Sequence, residues 1–225
     1  MQRVQKLLSN YGYCSRRKAE KLIEEGRVKV NDKTITIGDK ATEKDKIYVD
    51  NKLINKEKKL YLIFNKPINC VTALTDDKYQ TVMHYIKIKE RVFPIGRLDY
   101  KTSGLLLLTN DGDFANKIMH PSYEIKKTYK VEVDKFVSIN SIKKIEQGMH
   151  LEDGKTAPAE VNQLKDRVLE ITIHEGKNRI IRRMMKSLGY QIKTLKRTKI
   201  SNLELGSLKL GTFRELTEKE KNKIF

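Results

Sequence analysis

The sequence predicts an α+β protein in two parts, residues 1–57 and 58–225. Three observations predict it. The first part carries two helical periodicities and then a short hairpin pattern. The second alternates short strands, wholly apolar or of period two, with short helices. Between them, residues 55–59 hold no apolar side chain and read as a flexible linker. Such a tether would raise the effective concentration of the second part on a ligand held by the first.

In the first part, Val4, Leu7 and Leu8 recur at helical spacing, and Tyr11-Gly12 ends that helix. Ser15 can cap a second helix over residues 16–25. Ala19, Leu22 and Ile23 form its apolar face, and Gly26 stands at its C-terminal end. Residues 27–30 alternate as a strand, Asn31-Asp32 turns the chain into 34–37, and 47–49 make a further strand.

The second part opens with a strand at 60–64, stopped by Asn65-Lys66-Pro67, and a short helix is expected at 81–88. Leu105 to Leu108 lie between Ser103-Gly104 and Asn110-Asp111-Gly112, the pattern of a strand buried on both faces. Asp113 would cap a helix through Met119 that His120-Pro121 closes. Alternation puts Tyr129, Val131 and Val133 on one strand face, and an ordinary core aromatic is the plainest reading of Tyr129. A helix at 139–145, a loop and strand at 154–161 and a strand at 168–173 follow. Asn178 would cap a helix over 179–188, with Ile181, Met184, Met185 and Leu188 on its apolar face and Gly189 after it.

Formal net charge is +18, which argues for a polyanionic partner, nucleic acid first. Lys far outnumbers Arg, which also fits an AT-rich genome, so the placement of the charge decides. Arg16, Arg17, Lys18 and Lys21 gather at the start of the second helix, whose acidic residues lie mostly towards its other end. A helix start with cations makes a phosphate-binding edge, although most charge runs are only solvated faces. From Gly176 to Leu203 there are nine basic residues and no acidic one, so the charge is focused.

Other classes are disfavoured. No apolar run approaches a membrane span, and the N-terminus lacks a signal-peptide apolar core, so a cytoplasmic, soluble protein is expected. Cys14 and Cys70 are far apart and read as free thiols, and the four His residues lack metal-ligand spacing. No metal and no cofactor is expected.

The most informative stretch runs from Gly96 to Gly112. Residues 97–103 sit at the mouth of the buried strand, where binding and catalytic groups concentrate. There Asp99 lies two residues from Arg97. Such an arginine can keep a carboxylate ionised or reach outward to a phosphate or base. An Asp ahead of Thr-Ser-Gly also serves simply as a turn-former or cap.

Gly-Arg-Leu-Asp followed by Thr-Ser-Gly-Leu-Leu-Leu-Leu-Thr-Asn-Asp-Gly closely resembles the catalytic-loop motif of the rRNA pseudouridine synthases of the RsuA/RluB group. Lys127-Thr128-Tyr129 resembles that family's second motif, and Glu175-Gly176-Lys177-Asn178-Arg179 with Ile-Ile-Arg-Arg-Met its third. The segment from Cys14 to Ile23 with Gly26-Arg27-Val28-Lys29-Val30-Asn31 resembles the RNA-binding domain first seen in ribosomal protein S-four. Two positions depart from the family pattern. Asn69 stands where Gly is usual, though Asn tolerates a left-handed backbone. Ile180 stands where Gln is usual.

The resemblance covers the whole chain. It implies an S-four-like domain over 1–57 and a catalytic domain over 58–225 with a mixed, largely antiparallel sheet flanked by helices. The activity implied is isomerisation of uridine to pseudouridine in rRNA. Asp99 would be the catalytic carboxylate, attacking the nucleoside or deprotonating its sugar. Arg182 would pair with it, and Tyr129 would lie against the target base and serve in proton removal. Arg97 would fill the gap left by the flipped nucleotide. Arg16, Arg17, Lys18, Lys21, Lys177, Arg179, Arg183, Lys196 and Arg197 are the expected further RNA contacts. Adjacent Arg182 and Arg183 lie about 100° apart on a helix, so they cannot share a role. The partner would be ribosomal RNA or a ribosome-assembly intermediate, with large-subunit rRNA favoured by Asn178-Arg179, and the protein a monomer. The alternatives are a small-subunit rRNA enzyme, or a non-catalytic RNA-binding assembly factor whose basic surfaces would look the same.

Overall fold

Leu105 to Leu108 are completely buried, and the strand that holds them, Ser103–Thr109, lies inside a nine-stranded sheet. The computed structural model describes all residues 1–225. The sheet runs Glu160–Lys165, Val168–Ile173, Lys127–Val133, Ile192–Ile200, Ser103–Thr109, Tyr61–Lys66, Phe213–Glu215. Ile192–Ile200 and Ser103–Thr109 pair in parallel, while the ladders among the first four strands and that of Phe213–Glu215 on Tyr61–Lys66 are antiparallel. The expected α+β class with a mixed, largely antiparallel sheet is therefore the one observed.

The chain forms two compact units. One comprises residues 1–61 with 88–93 and 108–115. Its helices are Val4–Asn10 and Arg16–Glu24, and Ser15 caps the second by accepting the Lys18 N–H. A four-stranded sheet runs Lys33–Thr34, Val28–Val30, Ile47–Val49, Lys52–Leu53. Its core joins Leu7, Leu8, Leu22 and Ile23 to Val28, Ile47 and Val49.

Within the same unit, residues 55–59 are not a loose tether. The Glu57 N–H donates to Tyr11 O, Asn110 binds Lys58 O and the Leu60 N–H, and Lys59 meets Asp111 at 2.6 Å. Their polarity satisfies fixed partners distant in sequence, which local composition cannot reveal.

The other unit comprises residues 62–87, 94–107 and 116–225. The helices Ile139–Glu146 and Ile180–Ser187 pack on its sheet. Ile142, Ile145, Ile181, Met184 and Met185 meet Val131, Val133, Leu169 and Ile171 in one core. No helix of the chain is long and apolar enough to cross a membrane.

The strand expected at 34–37 is only Lys33–Thr34, and the one expected at 154–161 runs instead over Glu160–Lys165. Three further elements differ from the sequence reading. Residues 81–88 hold only a 3₁₀ turn, Val82–His84, because the backbone entering it bridges Val71. The helix Gly112–Met119 is capped by Asp111, not Asp113: Asp111 Oδ1 accepts the N–H groups of Asp113 and Phe114. A helix at Glu218–Asn222 was not anticipated, although Thr217 and Glu220 form a capping box.

Gly104 is where the parallel pair demands glycine. Its φ is +108°, and a Cβ there would overlap the Arg197 backbone. Gly104→Ala should destabilise by about 2–4 kcal/mol, read from the urea midpoint. Arg214, with help from Thr217, pulls the Glu220 carboxyl down to about 2. Its stabilisation is thus present above the ordinary Glu range and lost as pH falls towards about 2. Thermal melts of Glu220→Gln should be lower than wild type at pH 7 and converge with it in acid.

Candidate active site

A buried lysine fixes the loop that carries Asp99. Lys66, at the end of its strand, is 0% exposed. Its Nζ donates to the carbonyl oxygens of Pro67 (3.0 Å), Asp99 (3.1 Å) and Thr102 (3.0 Å). All three ammonium hydrogens are so used. Burial pushes this ammonium below the usual lysine range, while Cys70 and the Asp99 carboxylate pull it back.

The residues after Lys66 brace the same loop. The Asn69 N–H donates to Tyr100 O at 2.8 Å, and Asn69 has the left-handed φ of +62° for which Asn can replace Gly. The Thr72 hydroxyl donates to Leu98 O and accepts the Leu98 N–H. The Thr102 N–H closes a turn onto Asp99 O at 3.0 Å. The backbone on both sides of Asp99 is thereby immobilised, while its side chain remains 37% exposed.

Arg182 reaches the loop from the helix Ile180–Ser187. Its Nη2 donates to Lys101 O at 2.7 Å and the Thr102 hydroxyl at 3.2 Å. Its Nε lies 3.5 Å from Asp99 Oδ2, and the Arg179 Nε lies at 4.0 Å from the same oxygen. Burial lowers the Arg182 pKa and the Asp99 carboxylate opposes that fall. Asn178 does not cap this helix. Arg179 occupies the cap position with a left-handed φ of +49° and no side-chain cap bond. That backbone turn places Arg179 at the carboxylate instead of on the helix.

These groups open into a cleft of about 350 Å³ that Arg97, Asp99, Tyr129, Arg179 and Arg182 line. The sheet supplies its floor. Lys127 and Tyr129 share a strand face, and Tyr129 stands opposite Arg197 and Ile171. Arg197 is 3% exposed; its Nε donates to Leu105 O at 2.7 Å, and its buried Nη2 has no partner. Lys127 Nζ donates to Ile125 O. Burial, and then the Arg197 charge, draw the Lys127 ammonium down to about 8. No three His, Cys, Asp or Glu side chains are gathered as for a metal ion.

The expected RNA contacts scatter. Arg97 is exposed at the cleft, and Arg16, Arg17, Lys18 and Lys21 are exposed on the helix Arg16–Glu24 of the other unit. Arg183 points away from Arg182 into a bidentate pair with Asp153 (2.6 and 2.9 Å) and also donates to Asn178 O. Lys177 donates to Lys155 O and lies 3.6 Å from Glu175. Lys196 is half-buried in the sheet, and Arg197 is no surface contact at all. The basic stretch 176–203 is therefore not one free cationic face. Its carboxylate partners, Asp99, Asp153, Glu175 and Glu204, lie outside it in sequence.

Sequence reading missed Lys66 and Lys127. A cation closing the apolar run Leu62–Phe64 was the available sign of the first. Period-two spacing from Tyr129 was the sign of the second.

The RNA pseudouridylate synthase family model matches residues 60–187, and the S4 domain model residues 2–47. The ribosomal large subunit pseudouridine synthase B of Bacillus subtilis (strain 168) is 45% identical over 233 residues, covering 100% of this chain and 96% of that protein. The dual-specificity RNA pseudouridine synthase RluF of Escherichia coli (strain K12) is 37% identical, covering 99% of this chain and 78% of that protein. A crystal structure of a pseudouridylate synthase matches with a TM-score of 0.75 at 31% identity, covering 100% of both chains.

Replacing Lys66 by Met keeps the length of the side chain and removes three hydrogen bonds to buried carbonyls. It should lower stability by about 2–4 kcal/mol, measured by urea unfolding. Loss of order should concentrate at residues 97–103, read by faster amide exchange there.

Proposed function

This chain belongs to the RNA pseudouridylate synthase family and isomerises uridine to pseudouridine; we propose that its substrate is large-subunit ribosomal RNA and that Asp99 is the catalytic carboxylate. The observation that carries the reading is the Asp99 side chain. It faces a cleft from an immobilised loop, with the Arg182 Nε at 3.5 Å. The full-length similarity to a large-subunit enzyme supports the choice of rRNA.

In this reading the adjacent guanidinium holds a positive charge against the Asp99 carboxylate where a bound nucleotide would exclude water. The carboxylate then either attacks C1′ of the flipped uridine or removes a proton from its sugar. Each route breaks the C1′–N1 bond and later joins C1′ to carbon 5. Tyr129, half-buried beside the cleft, lies against the extruded ring and takes part in removing the proton from carbon 5. Arg97 enters the space the nucleotide vacates, offsetting a flipping cost of a few kcal/mol. Residues 1–57 supply a separate RNA-binding domain through Arg16, Arg17, Lys18 and Lys21, and residues 58–225 supply the catalysis.

Carbodiimide mapping of both rRNAs tests the assignment in a deletion strain. One reverse-transcription stop in large-subunit rRNA should vanish and return with wild-type protein but not with Asp99→Asn. A lost stop in small-subunit rRNA instead would overturn the choice of subunit. Purified Asp99→Asn should bind target RNA within about threefold of wild type while converting none of it. Replacing Arg16 and Arg17 by Ala should weaken RNA binding and reduce the salt slope by about one unit for each phosphate no longer neutralised.

A further inference from the structure

The cleft floor holds two cations for which the protein supplies no anion. The carboxylates lining the cleft are Asp99 and Glu175. Asp99 is engaged by Arg182 and Arg179, and Glu175 by Lys177 and the Ala157 N–H. Lys127 and Arg197 have neither. Arg197 spends its Nε on Leu105 O and leaves Nη2 buried without an acceptor. Lys127 spends one N–H on Ile125 O and keeps two. They lie close enough for the Arg197 charge to disfavour protonation of Lys127. Two like charges lining one half-dehydrated cleft, with donors unspent, gain from the arrival of an anion.

We infer that Lys127 and Arg197 form the subsite that binds the uracil ring while it is detached as an anion. The inference rests on the reading of the cleft as the uridine site. When the C1′–N1 bond breaks, its electron pair stays with uracil. The negative charge spreads over N1, O2, O4 and carbon 5, and this makes carbon 5 the nucleophile for the new bond to C1′. The proton then lost from carbon 5 is balanced by one gained at N1, so the sum is an isomerisation.

The site suits the ring better than a phosphate. Ile173, Ile181, Leu195 and Ile200 line the cleft beside the two cations and give apolar walls for a flat heterocycle. The exposed cations, Arg97 and Arg179, stand at the rim, where a hydrated phosphate would sit. Uracil also has a useful near-symmetry. Half a turn about the C6–N3 axis exchanges N1 with carbon 5 and O2 with O4. Donors that hold O2 and O4 before the turn hold O4 and O2 after it, so one pair of cations retains the ring through its reorientation. Fixed charges aimed where charge develops act on the barrier and leave substrate binding largely unchanged.

The test is whether a better leaving group rescues the loss of a cation. Fluorine at carbon 5 makes the uracil ring more acidic, so its anion needs less help. Lys127→Met should slow single-turnover loss of the parent uridine by about 100-fold with RNA affinity little changed. On the same RNA carrying 5-fluorouridine, the defect should shrink to about 10-fold or less, read by nuclease digestion and mass spectrometry. Lys127→Arg should restore most of the rate. Arg197→Gln should show the same selective rescue, and if that buried change prevents folding, Lys127→Met still decides. An equal defect on both bases, or no defect, would overturn the inference. Asp99→Asn run alongside separates the two readings: conversion by that variant would sink the assignment of the cleft, whatever Lys127→Met does.

Discussion

A lysine ammonium in the dry interior of a sheet governs the unit that holds the cleft. Lys66 binds three backbone carbonyls, one of them belonging to Asp99 itself. A polar loop at the end of a buried strand would ordinarily sample many conformations. Here it cannot, because releasing it would strand a buried charge. Arg182 adds a second clamp on the carbonyl of Lys101 and the hydroxyl of Thr102. The same guanidinium that clamps the loop therefore also faces its carboxylate. Loop geometry and the positive charge beside the carboxylate are coupled through one side chain.

The cleft arranges its cations by what surrounds them. Those at the mouth are exposed or paired with Asp99. Those on the floor, half-buried Lys127 and buried Arg197, have no carboxylate partner. Long-range electrostatics of a chain with charge +18 would draw in RNA regardless of these details. Burial is what separates the roles. An exposed arginine on a solvated rim suits a phosphate, whereas a dehydrated one acts strongly on a charge that appears only during reaction.

Much of the architecture was legible because it follows from local pattern. Four leucines between turn signals read as a strand buried on both faces, and they form one. Ser15 caps through its own hydroxyl, while Gly189 ends a helix and Asn69 takes the left-handed turn by backbone preference. Local pattern failed where a distant segment intervened. Asp111 displaced Asp113 as a cap, Val71 held the backbone that would have become a longer helix, and Arg179 took the cap position expected of Asn178.

The order of chemical groups along the chain determined the family, the activity and the candidate carboxylate, since Asp99, Tyr129 and Arg182 keep their motif surroundings. Tertiary structure alone decided which cations are available. Arg183 is consumed by Asp153, Lys177 by Lys155 and Glu175, and Arg197 is turned inward beside Lys127. The reason is physical. A side chain's identity and its neighbours in sequence set backbone preference, but its charge state and reach depend on burial and on partners that only folding brings within a few ångströms.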